Sequence, residues 1–276
     1  MNRQEKQIFS NNKSYKSMVV LILLFATIAS KAQIINVDKI DTLPYSNKAK
    51  FDGSLSLGLE IDKQNSVLYD GTNFIDASLR KNKTFIIFSG SSRFTYNESQ
   101  DLLNTGYLHI RLRSHYKARL HPESFIQYQW DNKIGFVKRF VIGENLRYDL
   151  IHNNNWELIA ATGVMYENED WNYSGVDTAK HLANKPDIFK RTIKSNNYLK
   201  LEGKVSDNSS LKLALFYQSQ FASFFSPRIF SVFNFTVDAT KHFGISINFT
   251  GTYDSKPIVP IPNFYYSISN GLVYKL

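Results

Sequence analysis

The sequence predicts an all-β fold, a transmembrane antiparallel up-and-down β-barrel of about twelve strands. Three observations carry that expectation. Apolar and polar residues alternate with a period of two along most of the 276-residue chain, with hardly a helical period anywhere. The alternating segments mostly run eight to twelve residues, close to the ~9–11 that cross a bilayer at a tilt and longer than the ~5–6 usual in a soluble sheet. Aromatic residues gather at segment ends, Tyr96, Trp130 and Tyr166 at one side and Trp156 and Tyr274 at the other. Two belts of that kind are what the two interfaces of a bilayer select.

The first strand is FDGSLSLGLEID, with Leu55, Leu57, Leu59 and Ile61 on one face and Ser54, Ser56, Gly58 and Glu60 on the other. A second, near Asn73 to Arg80, sets Ile75, Ala77 and Leu79 against Asp76, Ser78 and Arg80. The third places Ile86, Phe88, Phe94 and Tyr96 opposite Ser89, Ser91, Arg93 and Thr95. YLHIRLRSHY, the fourth, is the most polarised, with Leu108, Ile110 and Leu112 opposing His109, Arg111, Arg113 and His115. FIQYQW is the fifth, Arg139 to Leu150 the sixth, Trp156 to Glu167 the seventh and Tyr198 to Val205 the eighth. The ninth alternates Leu211, Leu213, Leu215 and Tyr217 with Lys212, Ala214, Gln218 and Gln220. A hairpin within Ser231 to Asp254 supplies two more, and Tyr265 to Leu276 the twelfth. An even number suits a single-chain barrel.

Connections after even strands are mostly tight, as in SDNSS and DATKH, whereas those after odd strands tend to be longer. The extreme is Asn168 to Asn197. Short turns at one end and longer loops at the other are the asymmetry of outer-membrane barrels. In strand six, the register that turns Phe140, Ile142, Leu146 and Tyr148 outward also turns Glu144 outward. Either a bulge lies near Gly143, since glycine inside a strand often marks one, or the register of strand six is different there.

Composition narrows the class. A mean hydropathy of −0.30 with 21% charged residues excludes a bundle of membrane helices. The one long apolar run, MVVLILLFATIA, is shorter than the ~20 residues a spanning helix needs. It follows Arg3, Lys6, Lys13 and Lys16 and precedes Ser30-Lys31-Ala32, which reads as a secretory signal over 1–32 cleaved before Gln33. A polar leader over 33–50 and a barrel over 51–276 complete the expected organisation. Removal of the signal takes away five basic residues and one acidic one, lowering the net charge from +9 to +5. With no Lys/Arg block, a nucleic-acid partner is not expected. The absence of cysteine rules out disulfides and a lipid-anchored cysteine.

From about Phe51 onward the chain resembles the salt-stress-induced outer-membrane proteins grouped as domain-of-unknown-function family 481, in the form common in the Bacteroidetes. The resemblance is carried by ESFIQYQWDNKIGFVKRFVIGENLRYDLI, GVMYENEDW, FYQSQFASFFSPRIF and YDSKPIVPIPNFYYSISNGLVYKL, in that order. It implies a barrel in the bacterial outer membrane, in contact with lipid and lipopolysaccharide, with no established substrate, cofactor or catalytic residue. The terminal strand, with Leu272, Tyr274 and Leu276 on its apolar face, would be the signal read by barrel-assembly machinery. Two departures are Asn145, where the family tends to have glycine, and a terminal Leu276 in place of phenylalanine.

No catalytic constellation stands out. The six histidines form no metal-binding motif. His109 and His115, six residues apart on one strand, would face inward about 20 Å apart at ~3.3 Å per residue. Ser114 beside His115 would point the opposite way, and no G-x-S-x-G elbow occurs. Glu167, Glu169 and Asp170 open the longest loop and read as a solvated acidic cluster, with Ca²⁺ ligation the sharper alternative.

The unusual feature is an inward basic cluster of His109, Arg111, Arg113 and His115, joined by Arg93, Arg139 and Arg147. Inward acids are Glu60, Asp76, Asp149, Glu157 and Glu202. One reading is a network of lumen ion pairs, which satisfies groups that must not face lipid; the other is a basic constriction favouring anions. A twelve-strand lumen is narrow or blocked, so the expected function is a narrow anion-preferring passage or a plugged barrel with an envelope-stress role. A lipid-modifying enzyme of the outer leaflet and a soluble periplasmic ligand-binding β-barrel are the alternatives from other classes.

Overall fold

The computed structural model describes residues 46–63, 66–97, 100–173, 176, 186–240 and 243–274. The expected signal, and the leader up to residue 45, lie outside the described residues. Twelve strands follow one another: β1 (Ser46–Lys63), β2 (Val67–Asn82), β3 (Thr84–Asn97), β4 (Gln100–Ser114), β5 (Leu120–Asp131), β6 (Phe136–His152), β7 (Trp156–Trp171), β8 (Ile188–Ser206), β9 (Ser209–Gln220), β10 (Arg228–Asp238), β11 (Phe243–Asp254) and β12 (Phe264–Tyr274). They form one sheet in chain order, each strand antiparallel to the next, with no crossover. The alternation read from the sequence therefore becomes an up-and-down meander.

The sheet curls until its walls touch. Arg139 on β6 bonds Gln218 on β9 across the interior, at 2.9 Å. Tyr198 on β8 bonds Glu123 on β5, at 3.0 Å. A cavity of about 160 Å³ lies between Thr105 and Asp131 on one side and Thr252 and Tyr265 on the other, so β11 and β12 approach β4 and β5. β1 and β12 are the two edges, and among the described residues no ladder joins them.

The apolar face is the outer one. Leu108, Ile110, Ile126, Ile142, Leu146, Leu213, Leu215 and Ile245 are all exposed. Their neighbours along each strand, including His109, Arg111, Gln127 and Ala214, are almost completely buried. A water-soluble sandwich has the opposite arrangement, with apolar residues inside and charges outside. The two N-F-T sequons lie within strands as expected, with Asn234 bonded to Asn248 directly opposite.

Several boundaries differ from those read in the sequence. β1 begins at Ser46, inside the stretch assigned to the leader. β7 runs to Trp171 and β8 starts at Ile188, so the long loop shrinks to 172–187. Tyr166 consequently lies inside β7, five positions from its end, and does not mark a strand terminus. The loop-length asymmetry holds only for the later connections, because β1–β2, β3–β4 and β5–β6 are joined by short links.

Strand six keeps an unbroken register through the difficult position. Phe125 pairs with Gly143, Ser124 with Glu144 and Glu123 with Asn145, so there is no bulge at Gly143 and Glu144 points outward. The glycine has a different cause: a Cβ there would stand 2.6 Å from the Phe125 ring, which packs against the strand. The irregularities of β6 fall at its ends, at Phe136/Lys138 and Asp149/Ile151.

This register makes a stability prediction. Glu144→Leu adds to the outer apolar face and should raise the unfolding free energy in lipid by about 1 kcal/mol. Gly143→Val forces the Phe125 ring aside and should lower it by about 1–3 kcal/mol. Urea unfolding in lipid vesicles measures both, and a loss from Glu144→Leu would contradict the register.

Candidate functional site: a filled interior

The inward face of β4 is as the sequence indicates up to Arg113. His109, Arg111 and Arg113 are buried. His115 is not among them: the backbone turns left-handed there (φ 54°), beyond the end of β4, and the imidazole is exposed. The basic cluster does not form a ring. Arg139 and Arg147 are eight positions apart on β6, which is roughly 26 Å along a strand. Arg93 stands apart and pairs with Asp70 of β2, at 3.2 Å.

Most of the basic residues are instead distributed through three ion networks. On the loop side, the Arg139 Nε donates to Glu167 Oε1 at 2.6 Å, and its other nitrogens reach Gln129 and Gln218. Arg228 bridges Glu169 on β7 (2.5 Å) and Asp254 on β11 (2.9 Å). Lys194 of β8 completes the set against Glu167. Three cations (Arg139, Lys194, Arg228) thus meet three carboxylates (Glu167, Glu169, Asp254). Glu167 and Glu169 are 0% exposed, which replaces the solvated acidic cluster and the Ca²⁺ reading with a buried ion-pair role. Asp170, the outward residue between Glu169 and Trp171, pairs with Lys138 at 2.7 Å.

Halfway down, Glu123 accepts from Arg113 Nε at 2.9 Å and lies 3.6 Å from Arg111. It also accepts from Tyr198 Oη at 3.0 Å and from Asn145. Asn145, Asn196 and Gln218 then relay hydrogen bonds to the loop-side network, at 3.1 and 2.9 Å. The position where a glycine was expected therefore carries one link of the interior network. On the turn side, Arg147 contacts Asp149 and Glu157 at 3.0 and 3.6 Å. Lys200 and Lys212 hold Glu202 at 3.1 and 3.2 Å. Of the expected inward acids, Glu60 is exposed on edge strand β1, opposite Asp70, and takes no part. Asp76 pairs across the sheet with Ser89, away from the networks.

Apolar side chains fill the space between the charges. Ile159, Ala161, Tyr198, Ala214, Phe216 and Phe230 pack together on the inner face of β7–β10. Phe125, Val141 and Met165 form a smaller group beside them. Phe85 and Ile87 point inward from β3 against Tyr107 and Tyr116. Over the loop-side end, Phe136, Trp171, Val176 and Val259 meet as a buried cluster, flanked by Ile134, Ile258 and Ile261. That cluster joins the β5–β6, β7–β8 and β11–β12 connections across the mouth.

Sequence reading missed Glu123, Lys194, Lys200, Arg228 and Asp254 as network members. A signal was present for two of them: Glu123 precedes an inward Phe125 by two residues, and Arg228 precedes Phe230 in the same way. Among the described residues, no group of three or more His, Asp or Glu side chains is placed to hold a metal ion.

No family model and no curated protein matches the chain. One solved structure, described as a porin refined at 1.8 Å resolution, is similar over 83% of this chain and 100% of its own length, at 6% sequence identity and a TM-score of 0.32.

The networks predict a large single-residue effect. Glu167→Ala leaves Arg139 and Lys194 buried without their nearest carboxylate and should cost about 3–5 kcal/mol, as expected when one partner of a buried pair is removed. Urea unfolding reads the loss, and a change below about 1 kcal/mol would show that the pair is solvated.

Proposed function

We propose that this chain is a bacterial outer-membrane β-barrel whose lumen is shut on the loop side, and not an open diffusion pore. The observation that carries the proposal is the apolar loop cluster around Phe136, Trp171, Val176 and Val259, seated above the charge-balanced network of Arg139 and Arg228. The membrane reading is supported by the outer face. Exposed Leu, Ile and Phe residues run from β4 to β11, an area well beyond the few hundred Å² that a water-facing protein tolerates. In hydrocarbon the backbone polar groups of such strands must be paired within the sheet.

Longer loops face the outside and shorter turns the periplasm in barrels of this kind. On that orientation the sealed mouth is extracellular. The outer face meets lipid and lipopolysaccharide, and the β12 edge with Leu272 and Tyr274 is the segment offered to assembly machinery; Leu276 lies outside the described residues. A role in envelope integrity under salt stress follows from the family resemblance.

The anion-preferring passage is the less supported of the two lumen readings. Glu123 lies between Arg111 and Arg113 and offsets much of the basic stripe, so β4 does not present an unopposed row of positive charge. The lipid-modifying alternative has equally little behind it. On the outer face Ser195 bonds Ser219 and Thr162 bonds Asn197, but among the described residues no histidine shares that face to activate a hydroxyl.

Two measurements test the proposal. In planar bilayers the wild-type protein should give no stable conductance between about 0.1 and 1 M KCl, while the double substitution Val176→Asp with Val259→Asp should produce openings. Frequent wild-type openings would overturn the shut lumen. Leu213→Arg should lower stability in lipid by about 2–4 kcal/mol if the site is near the midplane, with Lys212→Ala far milder; equal effects would contradict a lipid-facing β9.

A further inference from the structure

The turn-side end differs from the sealed mouth in both shape and charge. A cavity of about 460 Å³ opens there between the β4–β5 turn and the ends of β6 and β7, a size typical of small-molecule sites. Four cationic side chains line it (Arg113, Lys117, Arg119 and Arg147) against two carboxylates, Asp149 and Glu157. One wall is aromatic: the Phe85 and Tyr116 rings pack at a tilt of 54° with centroids 5.6 Å apart. Arg119 and His152 are exposed at the rim, so solutes have access.

A buried histidine forms part of the wall. His121 is 1% exposed and lines the cavity. Its Nδ1 lies 2.9 Å from the Ala118 carbonyl oxygen. A carbonyl only accepts, so Nδ1 carries the hydrogen in that bond. Nε2 is then left as an acceptor in the neutral ring or a donor in the charged one, and it has no hydrogen-bond partner in the protein. Buried polar atoms are ordinarily satisfied, so this nitrogen is an unsatisfied group in the cavity wall.

We propose that the turn-side cavity binds a small phosphorylated organic anion, with its phosphate against His121, Lys117 and Arg119 and its carbon skeleton on the Phe85–Tyr116 wall. The excess of cations selects an anion. Phosphate suits the site because its oxygens accept from ammonium and guanidinium groups, while the monoanion also carries an O–H that a neutral Nε2 can accept. The aromatic wall favours an ester over the bare ion. The same chemistry is available from a free phosphate monoester and from a lipid headgroup reaching the mouth. The lining residues carry the site; only its periplasmic orientation rests on the function proposed above.

Isothermal titration of the full-length protein tests it, with phenyl phosphate, inorganic phosphate and phenol as probes. Phenyl phosphate should bind saturably at one site per chain, at least tenfold tighter than inorganic phosphate, and phenol should not bind. His121→Asn keeps a donor for the Ala118 carbonyl and removes the inward nitrogen, and it should weaken phenyl phosphate about tenfold. Lys117→Ala with Arg119→Ala should weaken it as much or more, with urea unfolding run alongside to separate lost binding from lost stability. Repeating the titration in nanodiscs with and without phosphatidylglycerol separates the sources: competition assigns the site to headgroups, and its absence to a soluble ester. No binding of phenyl phosphate in either setting, or binding unchanged by both variants, would overturn the proposal, whatever the conductance measurements give.

Discussion

The charged side chains at the centre of this curled sheet's inner face are cut off from bulk water, and the rest of the structure is arranged around giving them partners. Arg139 shows the constraint most clearly. It is 2% exposed and makes bonds to residues on β5, β7 and β9. An unpaired guanidinium in that position would carry a desolvation cost of several kcal/mol. Pairing requires that β7 deliver Glu167 and Glu169 at matching height, that β10 bring Arg228 beneath them and that the sheet curl tightly enough for opposite walls to touch. The curl, the register and the filled interior therefore share one electrostatic cause.

The same constraint explains why the interior is filled with paired side chains, as the proposed shut lumen requires. Ion pairs that span the lumen occupy the space through which solutes would pass. Aromatic and aliphatic residues fill what remains, so the charges work in a low-dielectric setting where a hydrogen-bonded pair is strong and a missing partner is costly. The asymmetry between the ends then follows from loop length. The β7–β8 and β11–β12 connections are long enough to meet the β5–β6 turn over the mouth, while the short turns at the other end leave a cavity open.

The strands were legible in the sequence because period-two alternation is local: β4, β5 and β9 can be read from their own residues. The outward direction of Glu144 was legible too, and the register that seemed to conflict with it is the one observed. What escaped notice needed information from outside the segment. Glu167 and Glu169 sit in ENEDW, where polar residues occupy both faces and the alternation vanishes, so a strand end resembles a loop. Phe85 and Ile87 were hidden for the converse reason, since apolar residues occupy both faces of that stretch. His115 left the interior because of a single left-handed residue at the turn. Tyr198 and Glu123, 75 positions apart, meet only once the sheet has curled, and no short-range pattern encodes that contact.

The central claim is that the side chains of one face of these strands meet hydrocarbon while those of the other meet each other. The chain has no cysteine, so single thiols placed by Leu213→Cys and Lys212→Cys can be labelled with a small fluorophore in lipid vesicles. Lipids brominated on their acyl chains should quench the label at position 213 strongly and leave the label at 212 largely unaffected. Equal quenching at the two neighbouring positions, or none at either, would contradict the account.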